Sequence, residues 1–214
     1  MDKTGRPQNT MREILSRNNF KGLRVKMLSQ YDDDVIDGLY YAACQAESHI
    51  KKQSLAELDS LKNDNNMPDS DRNELELFLV DDNFEAELIR KISEEMVIAA
   101  LYKTVEIVIK RMLAVSGLFS ENEVRSFFRI KELKRLAGER VANLEELPGF
   151  SSYDELRCIN NCIKHSGKVS DELSNFSGWS KNEKIEYFWE HYLRIKPGVR
   201  KFVTSLSIKI IEKM

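Results

Sequence analysis

The chain has 214 residues, 32% of them charged and 42% hydrophobic, with a formal net charge of −2. That composition excludes a disordered chain, and the length allows a domain large enough to bury a proper core. The near-neutral balance excludes a global basic field, so any contact with RNA or DNA must be local.

Only 9 Gly and 4 Pro interrupt the chain, which favours long helices. Residues 1–10 are polar and are expected to be a disordered segment. From Met11 to about Leu61 the pattern is helical, with an irregularity near "SQYDDD". Val35, Leu39, Ala42, Ala43 and Ala46 are spaced as one apolar stripe. "KNDNNMPDSD", Lys62 to Asp71, reads as a loop. A second long helical region follows over Glu74–Ser116, with Gly117 as its stop. Its stripe runs Leu88, Ile92, Met96, Ala99, Ala100, Val105, Ile109 and Leu113.

Ser120 and Glu123 have capping-box spacing, so a helix starts there and is expected to end near Gly138. Within it, "VRSFFRIKELKRLAGER" reads as an amphipathic helix with Phe127, Leu133 and Leu136 inward. Ser152 and Glu155 repeat the capping pattern, with Gly167 as the C-terminal stop. Residues 181–195 form an aromatic-rich helix whose rings read as core and interface packing, and Pro197-Gly198 is expected to break it. "VRKFVTSLSIKIIEKM" is the last helix. The fold class is therefore all-α: a helical bundle with two long helices and several shorter ones, residues 11–214 forming a single domain.

Cys44, Cys158 and Cys162 are an odd set without a framework spacing, which fits reduced thiols in a cytoplasmic protein. The N-terminus has no apolar signal region. The most apolar run, "MVIAALYKTVEIVIKRMLAV", is interrupted by Lys103, Glu106, Lys110 and Arg111, so no membrane contact is expected.

The segment that invites a chemical reading is "ELRCINNCIKHSG", Glu155 to Gly167. On a helix Leu156, Ile159 and Ile163 share the core side. Arg157, Asn161 and His165 follow at i, i+4 and i+8 and line one polar ridge, with Asp154 and Lys164 beside it. Asn160 and Asn161 lower helix propensity at mid-helix, which points to hydrogen-bonding work, either at a site or in a structural network. Cys158, Cys162 and His165 do not converge as zinc ligands from one straight helix, so no metal is expected. Half-buried thiols at the edge of a core account for both cysteines.

At this stretch the chain resembles the HEPN superfamily (higher eukaryotes and prokaryotes nucleotide-binding), small all-helical domains that close with a segment like "LRxxRNxxxHxxG". Leu156, Asn161, His165 and Gly167 match that pattern in "LRCINNCIKHSGKVS". "ALYKTVEIVIKRML" is similar to the family's amphipathic helix with an internal Glu. The resemblance covers about residues 84–213. Active members carry Arg, then four to six residues, then His. Here the position directly before the motif Asn is Asn160, and seven residues separate Arg157 from His165.

The resemblance implies an HEPN-like bundle that binds RNA or acts as a metal-independent endoribonuclease, of toxin or phage-defence type. It implies a homodimer with two such helices facing each other, and an antitoxin or other protein as a further partner. In that chemistry His165 is the general acid or base. Arg157 or Lys164 holds the phosphate, Asn161 orients His165, and Asn160 contacts the substrate. No cofactor enters. The alternative is a non-catalytic helical interaction or dimerisation module, in which the same ridge is a contact between copies.

Overall fold

The computed structural model describes residues 11–63 and 67–214, with side chains from residue 19 onward. The segment 1–10, expected to be disordered, lies outside the described residues. Among the described residues seven helices follow in order: α1 (Met11–Ser29), α2 (Asp34–Asn63), α3 (Asp69–Ser116), α4 (Glu121–Ser126), α5 (Ile130–Arg140), α6 (Phe150–His165) and α7 (Phe188–Glu212). Two 3-10 turns stand at Leu144–Glu146 and Leu173–Asn175. Among the described residues no strand forms, and one isolated antiparallel bridge joins Lys168 to Lys184. The protein is all-α. Among the described residues no helix is long and apolar enough to cross a membrane.

The chain divides into two compact units. One takes the chain up to Tyr31, then Tyr102–Cys158 and Arg194–Met214. Its core contains Val105, Ile109, Met112, Leu133, Leu156, Phe202 and Leu206, each contributing about 1.5–3 kcal/mol through burial. The start of α6 meets α7 here at backbone contact. A Cβ built on Gly149, whose φ is +86°, would fall on the carbonyl oxygen of Gly198 and 2.7 Å from the amide nitrogen of Phe202. A Cβ on Gly198 would fall on Ser152 Oγ and 2.6 Å from its Cβ. Phe202 then stacks on Tyr153 at 4.9 Å and meets Phe150 edge-on at 5.5 Å. Beside them Arg194 donates two hydrogen bonds to the buried Glu155 carboxylate, at 2.6 and 3.1 Å.

The second unit takes Asp32–Leu101 and Ile159–Leu193. Here α2 and the first part of α3 run antiparallel, tied by Arg90 Nε to Glu47 at 3.1 Å and Lys51 to Glu87 at 3.2 Å. Tyr192 is fully buried and donates its hydroxyl to Asp37 Oδ1 at 2.6 Å. Tyr40 stacks on Trp189 at 3.9 Å.

Several boundaries differ from those the sequence suggests. The "SQYDDD" irregularity is a full break, where Asp32 Oδ1 accepts from the amide of Asp34 and opens α2. The capping box at Ser120 and Glu123 forms, and hydrogen bonds from Arg140 and from Ser120 hold the Glu123 carboxyl down at about 2. The helix it opens ends at Ser126, however, and Gly138 lies inside α5. The pattern at Ser152 and Glu155 is not a capping box: α6 already starts at Phe150, and Glu155 is taken by Arg194. Pro197-Gly198 does not break a helix either. Residues 181–187 are irregular, and α7 runs through Pro197 to Glu212. Pro197 lacks the N–H that would serve the Leu193 carbonyl, but Leu193 lies on the exposed side, where water can replace it.

The larger difference concerns helix phase. Val35 and Leu39 of α2 are exposed, as are Leu88, Ile92 and Met96 of α3, although their spacing marks a core stripe. Val105, Ile109 and Leu113 are buried as expected, as are Phe127, Leu133 and Leu136.

Gly149→Ala should lower the unfolding free energy by more than about 2 kcal/mol, since it combines a left-handed residue with a backbone clash. Gly138→Ala has open space around it and should raise stability by up to about 1 kcal/mol through helix propensity. Denaturant midpoints of the two variants against wild type test this packing.

Candidate functional site

The polar ridge forms on α6, and the two units give its members different environments. In the first unit Arg157 is half-buried, its side chain 12% exposed. Its Nε donates to Asp154 Oδ1 at 2.7 Å, one helical turn back, and a guanidinium N–H approaches Cys158 Sγ at 3.2 Å. Tyr102 and Tyr153 stack at 6.4 Å beside this pair. Burial raises both hydroxyl pKa values. The Glu106 charge adds to the rise at Tyr102, and the Arg157 cation offsets part of it. Burial acts to raise Glu106, but Lys110 Nζ at 2.6 Å and Lys103 Nζ at 3.3 Å outweigh it and leave the carboxyl below its usual range. Glu106 is the internal Glu of the amphipathic segment. Arg157 is thus one member of a group of tyrosines and carboxylates, with its Nε held by Asp154.

Asn160 is 1% exposed, and its Nδ2 has no hydrogen-bond partner among the described residues. An orphaned buried donor costs about 1–3 kcal/mol. The side chain is enclosed in the second unit's core, where it presents no surface to a large substrate.

Asn161 and His165 face outward in the second unit, Asn161 half-buried and His165 exposed. His165 is the last residue of α6. Gly167 closes the helix with φ +66°, donating its N–H to the Cys162 carbonyl at 2.8 Å. The following segment is pinned by Val169 N–H to the Glu183 carbonyl at 2.9 Å and Ile185 N–H to the Gly167 carbonyl at 2.9 Å. This fold-back leaves an open cleft of about 250 Å³ lined by Asn161, Cys162, His165, Ser166, Ser170, Asp171 and Glu172. Lys164 is exposed beside it. Asp171 is paired with Lys181 at 2.7 Å.

Asn161 and His165 therefore share a cleft. Arg157 belongs to the Asp154 group in the first unit. The sequence reading missed Asp154 as the partner of Arg157, and missed Tyr102. The i, i+3 spacing of Asp154 and Arg157 was the available signal. Cys158 and Cys162 are buried free thiols. Among the described residues, the close group of metal-ligating side chains is Asp32, Asp33 and Asp34 at the start of α2. No family model, curated protein or solved structure matches the chain.

The orientation of α6 can be read from its thiols. Cys158 and Cys162 should resist maleimide in the native protein and react fully only in denaturant. Mass spectrometry of labelled peptides measures this. Rapid native labelling at Cys158 would mean that a different face of α6 points outward, whereas labelling at Cys162 alone would report access through the cleft.

Proposed function

We propose that the protein is a non-catalytic helical interaction module of HEPN-like type, and that the outer face of α3 is its contact surface. One observation carries this reading. Leu77, Val80, Phe84, Leu88 and Ile92 recur at helical spacing on one side of α3 and are 68, 59, 67, 45 and 49% exposed. The opposite side of the helix supplies the buried seam, Leu79, Ala86 and Ser93. A surface helix normally keeps such an apolar stripe for the core, and here one stripe is packed while a second is open. Contiguous exposed apolar surface of this kind marks an interaction site. The α6 ridge is consistent with a module that does not cleave RNA. Asp154 pairs with Arg157 through its Nε, and Asn160, at the position where the HEPN pattern has Arg, is buried without charge.

A second reading, RNA binding or metal-independent cleavage of toxin or phage-defence type, is favoured by one feature: the exposed His165 beside Asn161 in an open cleft. Cleavage of an RNA panel in EDTA, lost in His165→Ala, would put this reading first. The interaction reading expects no such cleavage.

The interaction reading also makes a stability prediction. Phe84→Glu with Leu88→Glu should change the unfolding free energy by less than about 0.5 kcal/mol in dilute protein, as at any open surface. Leu101→Ala, at a fully buried position of the same helix, should cost about 2–5 kcal/mol. A core-sized loss from the double variant would mean that the chain covers this face itself, and the reading would fail.

A further inference from the structure

The open stripe on α3 has a marked charge. Residues 69–92 carry eight carboxylates, including Glu74, Asp81 and Glu85 beside the stripe, against three cations, Arg72, Arg90 and Lys91, of which Arg90 is held by Glu47 and Glu94. Glu74, Asp81 and Glu85 are exposed. An occupant of this face should therefore be an amphipathic helix with an apolar stripe and basic edges.

The chain itself contains such a helix. On α1, Phe20, Leu23 and Met27 stand at i, i+3 and i+7 and are 62, 55 and 63% exposed. Val25 and Ser29 lie on the opposite, buried side. Residues 19–29 carry Lys21, Arg24 and Lys26 and no carboxylate. Arg24 and Lys26 are exposed, one on each edge of the stripe. The described stripe of α1, Phe20 to Met27, is about 10 Å long, enough to cover about half of the α3 stripe from Leu77 to Ile92, about 22 Å. Both stripes are open in the same chain.

Resting on the interaction reading above, we infer that the partner of α3 is α1 of a second copy: the protein self-associates by laying the basic, apolar face of one copy's α1 on the acidic, apolar face of another's α3. The apolar stripes supply affinity, since each side chain removed from water contributes in proportion to its area. The opposite charges on their edges set orientation and partner choice and speed the encounter. Each copy offers one α1 face and one α3 face, so the contact is between different surfaces and closes into a ring or extends as a chain.

The test is charge exchange read by sedimentation velocity at high micromolar concentration. Wild type should self-associate. Arg24→Glu with Lys26→Glu on α1 should weaken association at least tenfold, and Asp81→Lys with Glu85→Lys on α3 should do the same. All four positions are exposed, so both proteins should keep the wild-type circular dichroism and melting midpoint. Mixed one to one, the two variants should associate again, because each faces a partner of opposite charge. Restoration on mixing is an outcome that a merely structural effect cannot produce. A monomeric wild type would overturn the inference, while the stability test of Phe84 and Leu88 still decides whether the α3 face is open. Association lost in Phe84→Glu but unchanged by the α1 reversal would keep α3 as the surface and reject α1 as its partner. Failure of the mixed variants to associate would reject it as well.

Discussion

At the contact of α6 with α7 the two backbones meet with no side chain between them. Gly149 and Gly198 leave no room for a Cβ, and the carbonyl of Gly198 packs directly against the Gly149 turn. This approach fixes the rotation of α6 about its own axis. Tyr153 and Leu156 turn inward, Tyr153 against Phe202, and the buried Glu155 carboxylate must then be met by Arg194. An unpaired carboxylate there would be strongly destabilising, so the ion pair and the glycine contact depend on each other. Within the same unit Arg157 comes to rest half-buried on Asp154.

The helical class was legible from the scarcity of breakers and from 3.6-residue spacing, and the Ser120–Glu123 cap was legible because its hydrogen bonds are local. The failures share a physical cause. Pro197-Gly198 looks like a break because propensity counts the lost hydrogen bond, whereas tertiary packing needs the missing Cβ and keeps the helix intact. Ser152 and Glu155 have the spacing of a cap, but each is claimed by α7: Ser152 by its close approach to Gly198, Glu155 by Arg194. Neither partner is visible in the local sequence.

The phase of α3 was the most informative miss. Its first half carries apolar residues on two sides, so period alone identifies a helix without saying which side is covered. Leu88, Ile92 and Met96 continue smoothly into the buried Val105 and Ile109, yet they are exposed. Places where local pattern and tertiary structure disagree are where functional surfaces are expected. On α6 the helix and its polar residues were legible, but the ion pair of Arg157 with Asp154 and the enclosure of Asn160 are tertiary outcomes that helical spacing alone does not give.

The most direct measurement of that contact is carbodiimide cross-linking of an equal mixture of ¹⁴N- and ¹⁵N-labelled protein, followed by mass spectrometry. The reagent joins lysine to carboxylate only where the two touch. Mixed-isotope peptide pairs between copies are predicted, joining Lys26 of α1 to Glu74, Asp81 or Glu85 of α3. Pairs that are never isotopically mixed, or mixed pairs that map to Lys164 and the α6 ridge instead, would contradict the account.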